Sequence, residues 1–211
     1  VDDAKEVRTA LSRLLGASGY QVSAFESAER FLEAPDADAP GCLLLDVCMP
    51  GLSGIELQRT LAGLPCARPI VFLSGKGDVH TGVRAMKEGA VDFLTKPIDH
   101  ARLVAAVELA LKRDAEQRRE RDVRRMIEER VETLTPRERQ VMVQVIRGRL
   151  NKQIAISLGT GEKTVKVHRA RVMSKMGAHS VAELVQLAAR VGVAIEPALS
   201  ADTATLNWKQ A

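Results

Sequence analysis

Aromatic residues are scarce, with four Phe, one Tyr and one Trp in 211 residues. A core here must be built from Leu, Val, Ile and Ala rather than from rings. No run of about 18 apolar residues occurs, and no signal-peptide pattern opens the chain. The expectation is a soluble, cytoplasmic protein with no membrane partner. Cys42, Cys48 and Cys66 are odd in number and lack metal-knuckle spacing. That argues against a disulfide framework or a thiolate metal site and favours reduced thiols. There is no internal repeat. Residue 1 is Val rather than Met, which is read as a trimmed start.

What the chain does have is a split of charge. Residues 1–111 carry 11 Lys and Arg against 15 Asp and Glu, a net of −4, whereas 112–211 carry 20 against 12, a net of +8. Within the second half, 135–192 alone holds 11 basic and 3 acidic residues. An acidic half joined to a basic half implies two domains with different partners, the basic one suited to a polyanion.

The first half alternates strand-like and helix-like segments. Val7, Leu11, Leu14 and Leu15 recur at helical spacing, and 20–25 alternates apolar and polar as a strand does. Ser27 is placed to cap a helix to 34. A buried strand is expected over 42–46, a helix over 54–64, a strand over 70–73, a helix over 79–88 and a strand over 91–95. A further helix starts at Asp99. Continuous apolar runs such as 43–45 and 70–73 fit strands covered on both faces, so a parallel sheet flanked by helices is expected.

Residues 112–132 mix 8 basic with 7 acidic residues and contain no Pro or Gly. Val123, Ile127, Val131 and Leu134 recur about once per helical turn. The segment reads as a long exposed helix, either a solvated spacer or a dimer-forming or signalling element. Thr135-Pro136 with Glu138 reads as a capped helix start. Residues 193–211 carry no pattern and are expected to be a disordered tail.

In a parallel α/β sheet, functional groups gather at the carboxyl ends of strands. Asp2 and Asp3 follow Val1, the apparent last residue of a strand. Asp46, Ser74 and Lys96 close three others. Three close carboxylates repel one another and create demand for a cation. Oxygen donors with open positions suit Mg²⁺, which keeps waters and binds phosphate oxygens. A carboxylate can also accept a phosphoryl group, whose charge Lys96 and Ser74 could hold. Each residue singly is more often a turn or loop former. The joint placement is far more specific.

Asp2-Asp3, Asp46 with Met49-Pro50 and Gly54, Ser74-Gly75 and Lys96-Pro97 resemble the receiver domain of two-component response regulators, over 1–111. The resemblance implies a doubly wound, five-stranded sheet of order 2-1-3-4-5, with the first strand largely missing here. It implies Asp46 as phospho-acceptor. Mg²⁺ would lie on Asp3, Asp46 and the Cys48 backbone carbonyl, with Asp2 assisting. Lys96 would pair with the phosphoryl group, Ser74 and Phe93 would be switch residues, and Lys96-Pro97 would be cis. The implied donor is a sensor histidine kinase.

Residues 151–176 read as helix, turn, helix, with Asn151 as cap, Ile154, Ala155 and Leu158 as the apolar face and 159–161 as the turn. On a helical wheel Val165, Val172 and Met176 face inward, and Lys163, Val167, Ala170 and Ser174 face outward with Lys166 and Arg171 at the edges. A basic rim around small residues fits a major groove. The plain alternative is a solvated basic helix. The wider set, 134–139, Gly148, 151–155, 164–169 and Lys175-Met176, is similar to the LuxR-type helix-turn-helix, an all-α four-helix domain over 134–192. By that resemblance Asn151, Lys152, Lys163, Thr164, Lys166, Val167, Arg169, Ala170 and Arg171 bind double-stranded DNA, with Lys166 and Val167 at base edges.

Together the halves resemble response regulators of the FixJ/NarL class, with the stretch 112–133 as charged helical linker. A phosphorylation-switched transcription factor is implied, dimeric when phosphorylated, with RNA polymerase as a further partner. It is not an enzyme, although its acyl phosphate can hydrolyse. The alternative is a DNA-binding regulator with a silent receiver used for docking. An aspartyl-phosphate hydrolase needs an acid two residues after its nucleophile, and Cys48 stands there.

Overall fold

In the computed structural model of the protein, residues 1–34, 39–63, 68–75 and 79–193 are described. Of the expected tail 193–211, residues from 194 onward lie outside them, while Val193 packs against the core of the second unit. The chain divides into two units, Val1–Arg118 and Arg119–Ala211.

The first unit is a parallel sheet between helices. Strand β1 (Leu43–Asp46) pairs with β2 (Ile70–Ser74), Leu43 opposite Ile70, and β2 pairs with β3 (Asp92–Thr95), Val71 opposite Asp92. Alternation along the strands sorts the side chains into two cores. Leu43, Leu45, Ile70 and Phe72 pack with helices α2 (Ala28–Leu32), α3 (Gly54–Ala62) and α4 (Val79–Lys87). Val71, Leu73 and Leu94 pack with Leu15 of α1 (Lys5–Ala17) and with Leu103, Ala106, Val107 and Ala110 of α5 (His100–Glu132). Burial on both faces is why these strands are uninterrupted apolar runs.

With the first strand expected to be largely missing, the sheet departs from expectation at one place, 20–25. Among the described residues three strands are formed, in the order β1-β2-β3. The stretch 20–25, expected as a strand, carries no ladder. Val1 still lies at the expected place. Its ammonium donates to Leu44 O at 2.7 Å, its carbonyl accepts the Asp46 N–H at 2.9 Å, and the Asp2 N–H donates to Phe25 O at 3.2 Å. A cleft of about 580 Å³ runs beside it, lined by Leu11, Leu15, Phe25, Phe31, Leu43 and Leu44 among others.

Helix α5 is continuous through the charged stretch. Asp114, buried, accepts the Gly41 N–H at 2.9 Å and Arg118 Nε at 2.8 Å, and Arg118 also donates to Ala39 O at 2.8 Å. These bonds attach residues of the expected linker to the first unit, which ends at Arg118 rather than near 111.

The second unit contains the end of α5 and helices α6 (Pro136–Ile146), α7 (Asn151–Ser157), α8 (Glu162–Met176) and α9 (Val181–Arg190). One core joins them: Ile127, Leu134, Val141, Met142, Val145, Ile154, Val165, Val172, Met176, Leu184 and Ala188 among others, with Val123 and Val131 packed against it. Each such side chain withdrawn from water contributes about 1.5–3 kcal/mol before entropy is charged. Thr135 and Glu138 form the expected reciprocal cap of α6. Lys175 Nζ lies 2.6 Å from Glu138 Oε2, and with the Thr135 amide it brings the Glu138 carboxyl down to about 2. The cap of α7 differs from expectation. Leu150 holds the cap position and its N–H donates to Gln153 Oε1 at 2.9 Å. Asn151 is the first residue of the helix itself, and its Oδ1 accepts Arg169 Nη1 at 3.0 Å.

Candidate functional site

Asp46 ends β1 at 5% exposure. Its position depends on a glycine: a Cβ on Gly54 would lie 2.2 Å from Asp46 O and 3.2 Å from Leu45 Cγ. The first turn of α3 thus passes directly over the Asp46 backbone, which only a residue without a side chain allows. Asp46 Oδ2 accepts the Cys48 N–H at 2.8 Å. Its Oδ1 lies 2.6 Å from Lys96 Nζ.

Lys96 follows β3, its N–H bonded to Ser74 O at 2.7 Å and its peptide to Pro97 cis. The same ammonium lies 2.6 Å from Asp2 Oδ2, and Asp2 Oδ1 accepts the Ala4 N–H at 2.9 Å. Burial opposes the charge on Lys96, but hydrogen bonds and attraction from Asp2 and Asp46 outweigh it and push its pKa up. Asp2 and Asp46 are almost completely buried. Their formal charge of −2 against one ammonium leaves the pocket acidic.

The structure therefore brings together Asp2, Asp46 and Lys96, with Ser74 buried at the end of the adjacent strand. Phe93 lies one strand over, its ring 6.3 Å from Phe72 and against Gly82 of α4. Asp3 is not drawn in: it is exposed, and among the described residues no three His, Cys, Asp or Glu side chains are grouped as metal ligands. Sequence reasoning missed Arg8, which donates to the carbonyls of Asp2 at 2.7 Å and Asp3 at 2.9 Å and so holds the acidic turn. Only its place five and six residues after the acid pair, one and a half helical turns, hinted at it.

The second constellation is on α8. Val165, Val172 and Met176 are fully buried, as the wheel required. Lys163, Thr164, Lys166, Val167, Ala170 and Arg171 are exposed on the other side, together with Lys152 of α7. Val167, 46% exposed, is an apolar point inside a basic rim. Asn151 and Arg169, both half-buried, hold one another and so tie α7 to α8. Lys166 makes only a loose contact with Glu162 at 3.8 Å, both exposed, which leaves it available to a partner.

Comparison with known proteins covers both sites. Residues 1–108 match the response regulator receiver domain, and residues 132–188 match the bacterial regulatory proteins of the luxR family. The chain is 45% identical over 194 residues to the transcriptional regulatory protein FixJ of Azorhizobium caulinodans, covering 92% of each. It is 43% identical over 196 residues to the response regulator protein TodT of Pseudomonas putida, covering 93% of this chain and 86% of that one. The solved structure of the response regulator StyR shares 45% identity with a TM-score of 0.79, covering 90% of this chain and 96% of the other. The chain belongs to the response regulators of the FixJ and TodT type, transcription factors that join a receiver domain to a LuxR-family DNA-binding domain.

Proposed function

We propose that Asp46 accepts a phosphoryl group from a phosphohistidine on a sensor kinase and that this event controls DNA binding through α8. The observation that carries the reading is the buried Asp2–Lys96–Asp46 arrangement at the carboxyl ends of parallel strands. An Asp46 carboxylate oxygen attacks phosphorus, the N–P bond of the donor breaks, and the imidazole nitrogen leaves. Lys96, already held at Asp46 by Asp2, stays beside the new phosphoryl oxygens and offsets their charge. Ser74 supplies a hydroxyl from the adjacent strand end.

The donor chemistry fits a divalent cation. All available ligands are oxygens, and one ammonium leaves the two buried carboxylates with net negative charge. Asp3, Asp46 and the Cys48 carbonyl would hold Mg²⁺ with help from Asp2. The ion would draw charge from the transferring group.

Phosphorylation changes what Ser74 and Phe93 contact. Phe93 packs on Gly82, so its movement is felt by α4, whose Val79, Val83 and Met86 form an exposed apolar stripe at i, i+4 and i+7. A second copy of the chain covers that stripe, and the paired DNA-binding units gain affinity from linkage to two half-sites. Lys166 and Val167 face base edges, Lys152, Lys163, Thr164 and Arg171 face phosphates, and Ala170 lets the backbone approach. Recruitment of RNA polymerase follows at the promoter. The test is mass spectrometry after incubation with a small acyl phosphate, with and without Mg²⁺. A single Mg²⁺-dependent phosphoadduct, absent from Asp46→Asn, is expected. A folded wild-type protein without adduct points instead to a silent receiver.

A further inference from the structure

The C-terminus of α8 is closed in an unusual way. Gly177, at φ +64°, turns the chain in the left-handed region. The Ala178 N–H returns to Met173 O at 2.9 Å and the Gly177 N–H to Ser174 O at 3.1 Å, which satisfies two of the orphan carbonyls. The Met176 carbonyl is taken by another helix: Arg130 Nη1 of α5 donates to it at 3.0 Å. Gly177 makes room for this, since a Cβ there would lie 2.9 Å from Arg130 Nη1.

The exchange is reciprocal. Lys175 Nζ, from the last turn of α8, donates to Thr133 O at 2.9 Å, just past the end of α5, while also bonding Glu138 at 2.6 Å. Each helix thus places a cation at the carbonyl end of the other, where the helix dipole favours positive charge. Ile127 of α5 and Met176 of α8, both buried in the same core, lie within a turn of these contacts. Hydrophobic packing alone permits sliding. Two opposed, directional bonds do not.

We infer that Arg130 is a positioning residue for DNA recognition: with Lys175 it fixes the lie of α8 against the last turn of α5, so that this turn is part of the reading head. The inference rests on α8 being the DNA-reading helix. It also removes Lys175 from the set of groups available to DNA, because its ammonium is engaged on the far side of the helix end. Arg130 touches no nucleic acid in this scheme. It acts on how accurately the base-edge residues are presented, and therefore on discrimination rather than on general affinity for the polyanion.

The test uses the full chain and duplexes selected by the wild type from a random pool, with Arg130→Met, which keeps the apolar stem, and Arg130→Lys. Affinity for selected and for scrambled DNA is measured across a range of salt. The expected result is a tenfold fall in the selected-to-scrambled ratio for R130M, equivalent to about 1.4 kcal/mol. Scrambled-DNA affinity and salt slope stay unchanged, and R130K restores most of the ratio. A ratio within twofold of wild type for R130M, with wild type still selective, overturns the positioning role alone. Equal losses on both DNAs with a shallower slope also overturn it, since they mark Arg130 as a phosphate contact. A wild type that selects no sequence overturns the reading of α8, and this inference with it.

Discussion

Gly54→Ala provides a sharp test of how the acceptor is held. Glycine to alanine inside a helix ordinarily stabilises by about 1 kcal/mol. Gly54 is the first residue of α3 and has an ordinary φ, so no backbone strain opposes the change. The opposition is steric. The new Cβ would meet Asp46 O at 2.2 Å, and real contacts of this kind do not fall below 3.0 Å. The obstacle is strand backbone, packed by Leu45 on one side and paired to β2 on the other, so it cannot rotate away. Overpacking costs about 1–3 kcal/mol, and a rigid neighbour argues for the upper end. Set against the helix gain, the net loss is about 2 kcal/mol. With a urea m-value of about 2 kcal/mol/M, the midpoint of the first unit falls by about 1 M. Since the displaced atom belongs to Asp46, phosphoryl incorporation should slow as well. Gly16→Ala is the control: it lies in α1 with nothing within 4 Å of its Cβ position, and a gain of about 0.5–1 kcal/mol is expected. A G54A protein as stable as wild type would refute the steric account.

Lys96→Met leaves Asp2 and Asp46 buried without their cation and should cost about 3 kcal/mol, the lower end for a broken buried pair because Lys96 keeps some solvent contact. Urea titration of K96M/D46N checks this: a double-variant cost equal to the sum of the single costs would show that the two groups are not coupled. Glu138 has its carboxyl lowered to about 2 by Lys175 first and the Thr135 amide second. Its contribution is therefore fully present above the ordinary value near 4.5 and is lost as pH falls toward 2. The melting temperature of the second unit should drop between pH 5 and pH 3, and Glu138→Gln should flatten that dependence. An unchanged slope in E138Q would locate the acid sensitivity elsewhere. Lys166→Ala should cost about 1–3 kcal/mol on selected DNA and relax preference at one base pair. A uniform loss on every sequence, read by competition binding, would instead assign Lys166 to a phosphate.

The strands at 43–46, 70–74 and 92–95 were legible because they rest on local chemistry. An apolar run such as 70–73 has few fates other than a doubly covered strand. The caps at Ser27 and Thr135 were legible for the same reason, since each depends on residues three apart. Features fixed by distant partners were not. Asn151 has the right chemistry for a cap, but the helix begins one residue earlier than expected, and the Asn151 side chain is bonded to Arg169, 18 residues on. The alternating pattern of 20–25 promised a strand, but that stretch joins no ladder. The charged composition of 112–132 suggested a separate linker, whereas Asp114 and Arg118 are bonded to residues 39–41 far away in sequence. Gly54 was recognised as part of a motif, but its reason, the carbonyl beneath it, is visible only in three dimensions.

The Asp114 carboxylate that holds Gly41 has a chemical side effect on the next residue. Burial, and then the nearby Asp114 charge, push the Cys42 thiol up to about 11, so almost none of it is thiolate in neutral solution. Cys42 is thereby the less reactive thiol, while exposed Cys48 remains open to reagents two residues from Asp46, its amide bonded to the Asp46 carboxylate. Nature has left a distinction between these two thiols that a chemist can use. With Cys66 replaced by Ser, a fluorophore attached at Cys48 would sense the charge proposed to arrive on Asp46, so that event could be followed optically in real time.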